Sequence, residues 1–168
     1  MNYFFYKFLL FIGKIIYPTI RITYYKDEPR KQMFEGVVAN SIYKKENYNY
    51  IEFGAYKGFS LTEVFRATRK LNIKANFFIF DSFKGLPHSE GIFKKYSFSV
   101  SLLAFKIYLC LRGVDYSKIK IFEGWYSETL NSTTLKNMNI SSVDLVYVDC
   151  DLYSSTKEAL KFIEPICK

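Results

Sequence analysis

Four short apolar runs, each closing on an acid or a glycine, constrain this chain more than any other feature. They are YNYIEFGA (48–55), NFFIFDSF (76–83), KIKIFEGW (118–125) and VDLVYVDCD (143–151). They are apolar on both faces, which is the mark of strands buried in a parallel sheet, not of strands with one wet side. Helical patterns stand between them. QMFEGVVANSIYKKE carries Phe34, Val37, Val38 and Ile42 at helical spacing. FSLTEVFRATRKLN places Leu61, Val64, Phe65, Thr68 and Leu71 inward, and SVSLLAFKIYLCLRG predicts a helix capped by Ser99 and ended by Gly113. SSTKEALKFIEPI predicts a last helix with Ser154 or Ser155 as N-cap and Glu158 in a capping box. The third and fourth strands follow one another with no helix read between them. Alternation of this kind predicts an α/β fold, a doubly wound parallel sheet covered by helices.

In such sheets ligands bind beyond the carboxyl ends of the strands, so the residues that close each run are the candidates. The first closes on Glu52 and the turn Gly54–Gly58. A glycine turn lets a ligand approach the backbone, and the helix N-terminus after it favours anionic groups. The spacing is G-x-x-x-G, not the dinucleotide G-x-G-x-x-G, and an acid before the turn suits an amine-bearing ligand better than a pyrophosphate. The second closes on Asp81, 23 positions after Gly58, near the offset of about 20 at which an acid takes ribose hydroxyls. The third closes on Gly124 and Trp125, an indole that could lie on a flat base or simply pack in the core. The fourth presents Asp149 and Asp151, which could hold a hard cation or act as a base, unless Asp151 only caps the helix after it. His88, the single histidine, lies in a proline-containing loop and is not read as the base.

The N-terminal segment 1–31 is apolar and basic. Its six Lys and Arg against Asp27 and Glu28 give half of the net charge of +8. Lys7 and Lys14, seven apart, fall on one face of a helix that Pro18 is expected to end near Tyr17. The uncharged stretches are too short to span a bilayer. Residues 1–17 are therefore either a helix packed on the domain or on a second copy, or one lying in a membrane surface. A basic chain could bind nucleic acid, anionic lipid or a phosphorylated substrate, and no basic cluster is dense enough to choose between them; nothing at the strand ends looks like nucleic-acid readout, and no P-loop is present. Hydrophobic residues at 49% argue against disorder. Three cysteines without metal-ligand spacing fit reduced thiols and a cytoplasmic protein.

The motifs EFGAYKGFS, FDSFKGLP, FEGWYSETL and VYVDCDLYSST, in this order, resemble the macrocin O-methyltransferase-like (TylF-type) class I methyltransferases over roughly residues 34–168. The resemblance implies a Rossmann-like domain, here 32–168, that binds S-adenosyl-L-methionine and methylates a hydroxyl of a sugar or similar small molecule. It implies that Glu52, Gly54, Ala55, Tyr56, Gly58 and Ser60 wrap the methionine part. Asp81 and Ser82 would take the ribose side, and Gly124 and Trp125 the adenine. Asp149 would be the catalytic carboxylate, with Asp151 beside it and Mg²⁺ between the pair and the substrate. It also implies seven strands ordered 3-2-1-4 and onward, of which four are read before Lys168. On that expectation the chain is C-terminally truncated, its fourth strand is an edge, and it self-associates. A non-catalytic module that keeps the cofactor-binding half, and a different nucleotide binder of Rossmann type, are the alternatives.

Overall fold

The computed structural model describes residues 2–24, 28–41 and 47–167. In chain order the elements are α1 (Tyr3–Tyr24), α2 (Glu28–Asn40), β1 (Tyr48–Phe53), α3 (Phe59–Lys70), β2 (Ala75–Asp81), α4 (Leu102–Leu111), β3 (Ile119–Glu123), α5 (Tyr126–Thr129), α6 (Ser132–Met138), β4 (Leu145–Val148) and α7 (Tyr153–Ile163). The strands form one parallel sheet in the order β3-β2-β1-β4. The expected order and the edge position of β4 among the described strands both hold.

The two-residue period of the strands divides the core. Tyr48, Tyr50, Phe77 and Ile79 point to one side and pack with Phe34, Val38, Leu61, Val64, Phe65, Phe105 and Leu109 from α2, α3 and α4. Ile51, Phe53, Phe78 and Phe80 point to the other and pack with Met138, Ala159, Phe162 and Ile163 from α6 and α7. Both faces are covered, which is why the runs carry no polar alternation. The Phe80 ring lies 4.6 Å from Phe122 and 5.1 Å from Phe53, stacked along one face across three strands.

The chain reverses its winding between β3 and β4, so a crevice opens where β1 and β4 lie side by side. Gly54 makes that junction possible. Its φ is +82°, and a Cβ there would sit 2.1 Å from the carbonyl oxygen of Asp149.

Several local expectations are corrected. α1 continues past Pro18 to Tyr24; a proline inside a helix removes one hydrogen bond and can bend the helix without ending it. α4 is capped by Ser101, whose side chain accepts from the Ala104 N–H at 3.3 Å, not by Ser99. α7 has Leu152 as N-cap and no side-chain cap, so neither Ser154 nor Ser155 nor a Glu158 box begins it. Leu71 is 42% exposed at the end of α3, and Val37 is exposed on α2, where Phe34 and Val38 are the buried ones among the described side chains; Ile42 lies outside the described residues. β3 and β4 are joined through α5 and α6, because two parallel strands need a crossover.

α1 packs on α4 through Tyr6, Leu10 and Gly13. A Cβ on Gly13 would fall 1.9 Å from the Cys110 carbonyl oxygen, so this glycine sets how closely the helices meet. Among the described residues, no helix is long and apolar enough to cross a membrane.

Candidate active site

A cavity of about 410 Å³ opens beyond the carboxyl ends of all four strands. Each strand contributes to its wall: Gly54 and Ala55 after β1, Asp81 and Ser82 at β2, Gly124 and Trp125 after β3, and Asp149 and Asp151 after β4. The size falls within the usual range for small-molecule sites, roughly 300–1,000 Å³. The charge of the wall is opposite to that of the chain. Asp81, Asp149, Asp151 and Glu158 line it with, among the described residues, Lys57 and His88 as the only basic side chains, although the whole protein carries +8. Such a wall attracts a cation and opposes a pyrophosphate.

Asp81 has a role that the sequence reading missed. Its Oδ2 accepts from the backbone N–H groups of Ala55 at 2.7 Å and Tyr56 at 3.1 Å, and its Oδ1 accepts from that of Phe83 at 2.7 Å. One carboxylate thus clamps the glycine turn after β1 to the end of β2. Three of its roughly four acceptor positions are used, which leaves one for a ligand hydroxyl. The turn N–H groups expected to meet a ligand carboxylate are in part spent on Asp81. The N-terminus of α3, where Gly58 provides no side-chain cap, is the remaining anion-favouring feature.

Glu52 and Gly58 do not line the cavity. Gly58 faces α4, where a Cβ would lie 2.9 Å from both Phe105 and Leu109 side chains. Glu52 is fully buried behind Ser60, because it shares its strand face with Tyr50. The hydroxyl of Tyr50 donates to Glu52 Oε2 at 2.8 Å, and the hydroxyl of Ser60, which does line the cavity, donates to Oε1. Burial pushes the Glu52 pKa up to about 8; the two hydroxyl donors pull it down, and the charges of Asp149 and Asp81 raise it further.

Asp149 and Asp151 are both exposed and stand side by side on the wall. The Tyr147 hydroxyl reaches Asp149 Oδ2 at 3.4 Å. Partial burial and then the neighbouring Asp149 raise the Asp151 pKa. Among the described residues, no group of three or more His, Cys, Asp or Glu side chains is placed to hold a metal ion. The expected cation site therefore rests on this pair alone.

Three wall residues that are not glycine hold left-handed backbone: Tyr56 (φ 47°), Phe98 (φ 60°) and Asp151 (φ 60°). Strain of this kind gathers at ligand sites. The Tyr56 and Phe98 rings meet edge to face at 5.8 Å. Phe98 lies in the loop between β2 and α4, which reaches across to α7: the Glu90 carboxylate accepts from the Tyr153 N–H at 3.1 Å, and His88 Nε2 lies 3.5 Å from the Ser154 hydroxyl. His88 is thus a wall residue even though its loop gave no such signal in the sequence.

Residues 27–165 match the family model described as macrocin-O-methyltransferase (TylF). The chain belongs to the macrocin O-methyltransferase (TylF) family. Two of the solved structures with a similar fold are O-methyltransferases. One is described as the O-methyltransferase NovP, with a TM-score of 0.62 at 20% identity, covering 83% of this chain and 59% of that one. The other is described as apo CalS11, a TDP-rhamnose 3′-O-methyltransferase of calicheamicin biosynthesis, with a TM-score of 0.62 at 17% identity, covering 97% of this chain and 72% of that one. This TylF-family chain therefore spans about three fifths of the length of NovP. No curated protein matches it.

Proposed function

We propose that this chain binds S-adenosyl-L-methionine in the cavity and transfers its methyl group to a hydroxyl of a sugar or sugar-like small molecule. The observation that carries the reading is the acid-lined wall at the switch point of a TylF-family fold. A sulfonium cation with an ammonium fits four carboxylates, whereas a dinucleotide pyrophosphate does not. The cofactor supplies an electrophilic methyl group when bound. Asp81 offers its remaining acceptor position to a ribose hydroxyl. Ser82, whose hydroxyl donates to the Gly85 carbonyl at 3.0 Å, fixes the wall beside it. Trp125, whose backbone N–H donates to Glu128 Oε2 at 3.1 Å at the start of α5, offers its indole to the adenine.

Asp149 is the proton acceptor for the attacking hydroxyl. It stands exposed on the wall, with Tyr147 as a donor that steadies one oxygen. Positioning and this proton transfer carry the catalysis. No step is assigned to a metal: among the described residues no group of three or more His, Cys, Asp or Glu side chains could hold one. The same exposure favours one second reading, a cofactor-binding module that transfers nothing.

Titration calorimetry with S-adenosylhomocysteine, S-adenosylmethionine and NAD tests the binding. Preference for NAD, or no binding of either sulfur nucleoside, refutes it. A radiolabelled-methyl assay across sugar hydroxyl acceptors separates the transferase from the binding module.

A further inference from the structure

Helix α1 buries one side against α4 and leaves the opposite side apolar. Phe4, Phe8, Phe11 and Ile15 follow one another at spacings of four, three and four, so they form a single stripe. They are 83%, 58%, 61% and 56% exposed, and Phe5 beside them is 50% exposed. Tyr6, Leu10 and Gly13 occupy the packed side, so the stripe takes no part in the core or the cavity wall. Isolated exposed apolar residues are ordinary, but a continuous aromatic stripe marks an interaction surface.

The helix itself carries charge of one sign, and the acid nearest to it, Asp115, accepts from the Tyr6 hydroxyl and lies within electrostatic reach of Lys7. Lys7 and Lys14 are exposed on one flank, and the sequence of α1 from Tyr3 to Tyr24 contains no acid. The Lys7 ammonium lies 5.4 Å from the Tyr3 ring and 5.2 Å from the Tyr6 ring, which keeps it beside the helix.

We propose that this face of α1 lies in the headgroup region of an anionic lipid bilayer, with the phenylalanines inserted and the lysines on lipid phosphates. An amphipathic helix with a basic flank and aromatic apolar residues binds such surfaces. A second copy of the chain is the poorer occupant. Pairing two α1 stripes would bring the lysines of both helices to one seam, with no acid on either helix to neutralise them. The surface is independent of the methyl-transfer reading, because it uses neither the cavity nor its residues.

Vesicle flotation with the full chain tests the proposal. Phosphatidylcholine vesicles are compared with vesicles that also contain phosphatidylserine. The protein is expected to float with the anionic vesicles only, and less as salt is added. Each lysine is worth roughly fivefold in partitioning, so Lys7→Glu with Lys14→Glu should lower it more than about tenfold. Phe4→Ser, Phe8→Ser and Phe11→Ser together should abolish it while the melting temperature holds, since all three are exposed. Equal flotation on both lipids, no flotation on either, or flotation unchanged in both variants overturns the proposal. So does a dimer, seen by light scattering without lipid, that the triple serine variant dissolves.

Discussion

Changing Glu52 to Gln should flatten the pH dependence of stability between pH 5 and 8. The carboxyl is fully buried, and its pKa stands at about 8 against an ordinary value of 4.5. In the unfolded chain it ionises near 4.5, whereas in the fold it stays protonated until about 8. The folded state therefore binds the extra proton, and stability from this group is full below pH 4.5. It is lost as pH rises, at up to about 1.4 kcal/mol per unit, until the folded group ionises near pH 8. The total comes to roughly 4–5 kcal/mol, a large part of the stability of a single domain of this size. Gln fills the same space and cannot ionise. Urea unfolding at several pH values, for the wild type and Glu52→Gln, gives the difference directly, and Asp151, raised in both proteins, cancels in it. The reasoning fails if the wild type is equally stable at pH 5 and pH 8, or if the variant keeps the same slope. One consequence reaches the cavity. Ser60 stands between Glu52 and the wall, so a cation bound there favours the ionised carboxylate. Binding of S-adenosylmethionine near pH 7 should release a proton, and should cease to do so in Glu52→Gln.

Asp81→Asn should lower stability by about 2 kcal/mol, since one side-chain oxygen replaces two that accept three backbone N–H groups; it should also weaken S-adenosylhomocysteine roughly tenfold, as read by urea unfolding and calorimetry together. Unchanged values of both would remove Asp81 from the turn and from the site. Gly54→Ala should cost more than about 3 kcal/mol, through the left-handed φ and the collision with the Asp149 carbonyl, and a variant that melts like the wild type would contradict the close approach of β1 and β4. Asp149→Asn should lower kcat by about 10²–10⁴-fold while S-adenosylhomocysteine binds within a few-fold of the wild type; a kcat near the wild-type value would move the base elsewhere.

The sheet was legible because burial on two faces leaves a strong trace. A run such as FFIF has no polar alternation and must lie between two helical layers, as Phe77 and Ile79 on one side and Phe78 and Phe80 on the other show. α5 and α6 left no such trace. They are 4 and 7 residues long, too short for an apolar stripe, and α6 depends on Asn131, whose side chain accepts from the Thr134 N–H at 2.9 Å. The rule that parallel strands need a crossover would have supplied them. Pro18 misled because its effect was read as a stop when the helix carries it.

At the cavity, the position of a residue was easier to read than its use. Acids at strand ends are visible in sequence, and Asp81, Asp149 and Asp151 all reach the wall. Whether an acid meets a ligand or the backbone depends on which N–H groups the neighbouring turn leaves unsatisfied, and that is a property of the folded turn. Ala55 and Tyr56 point their N–H groups at Asp81 because Gly54 and Tyr56 take positive φ. Glu52 sits one position before Phe53 in the buried stretch Tyr50–Phe53 of β1, so the two-residue period places it with Tyr50 and Ser60. The strand period thus turns Glu52 toward Tyr50 and Ser60, and the turn geometry sets Asp81 on the N–H groups of Ala55 and Tyr56. On the proposed function, a ligand hydroxyl taken up by Asp81 would bear on the same carboxylate that holds the turn, so cofactor binding and the order of residues 54–58 would be coupled through one side chain.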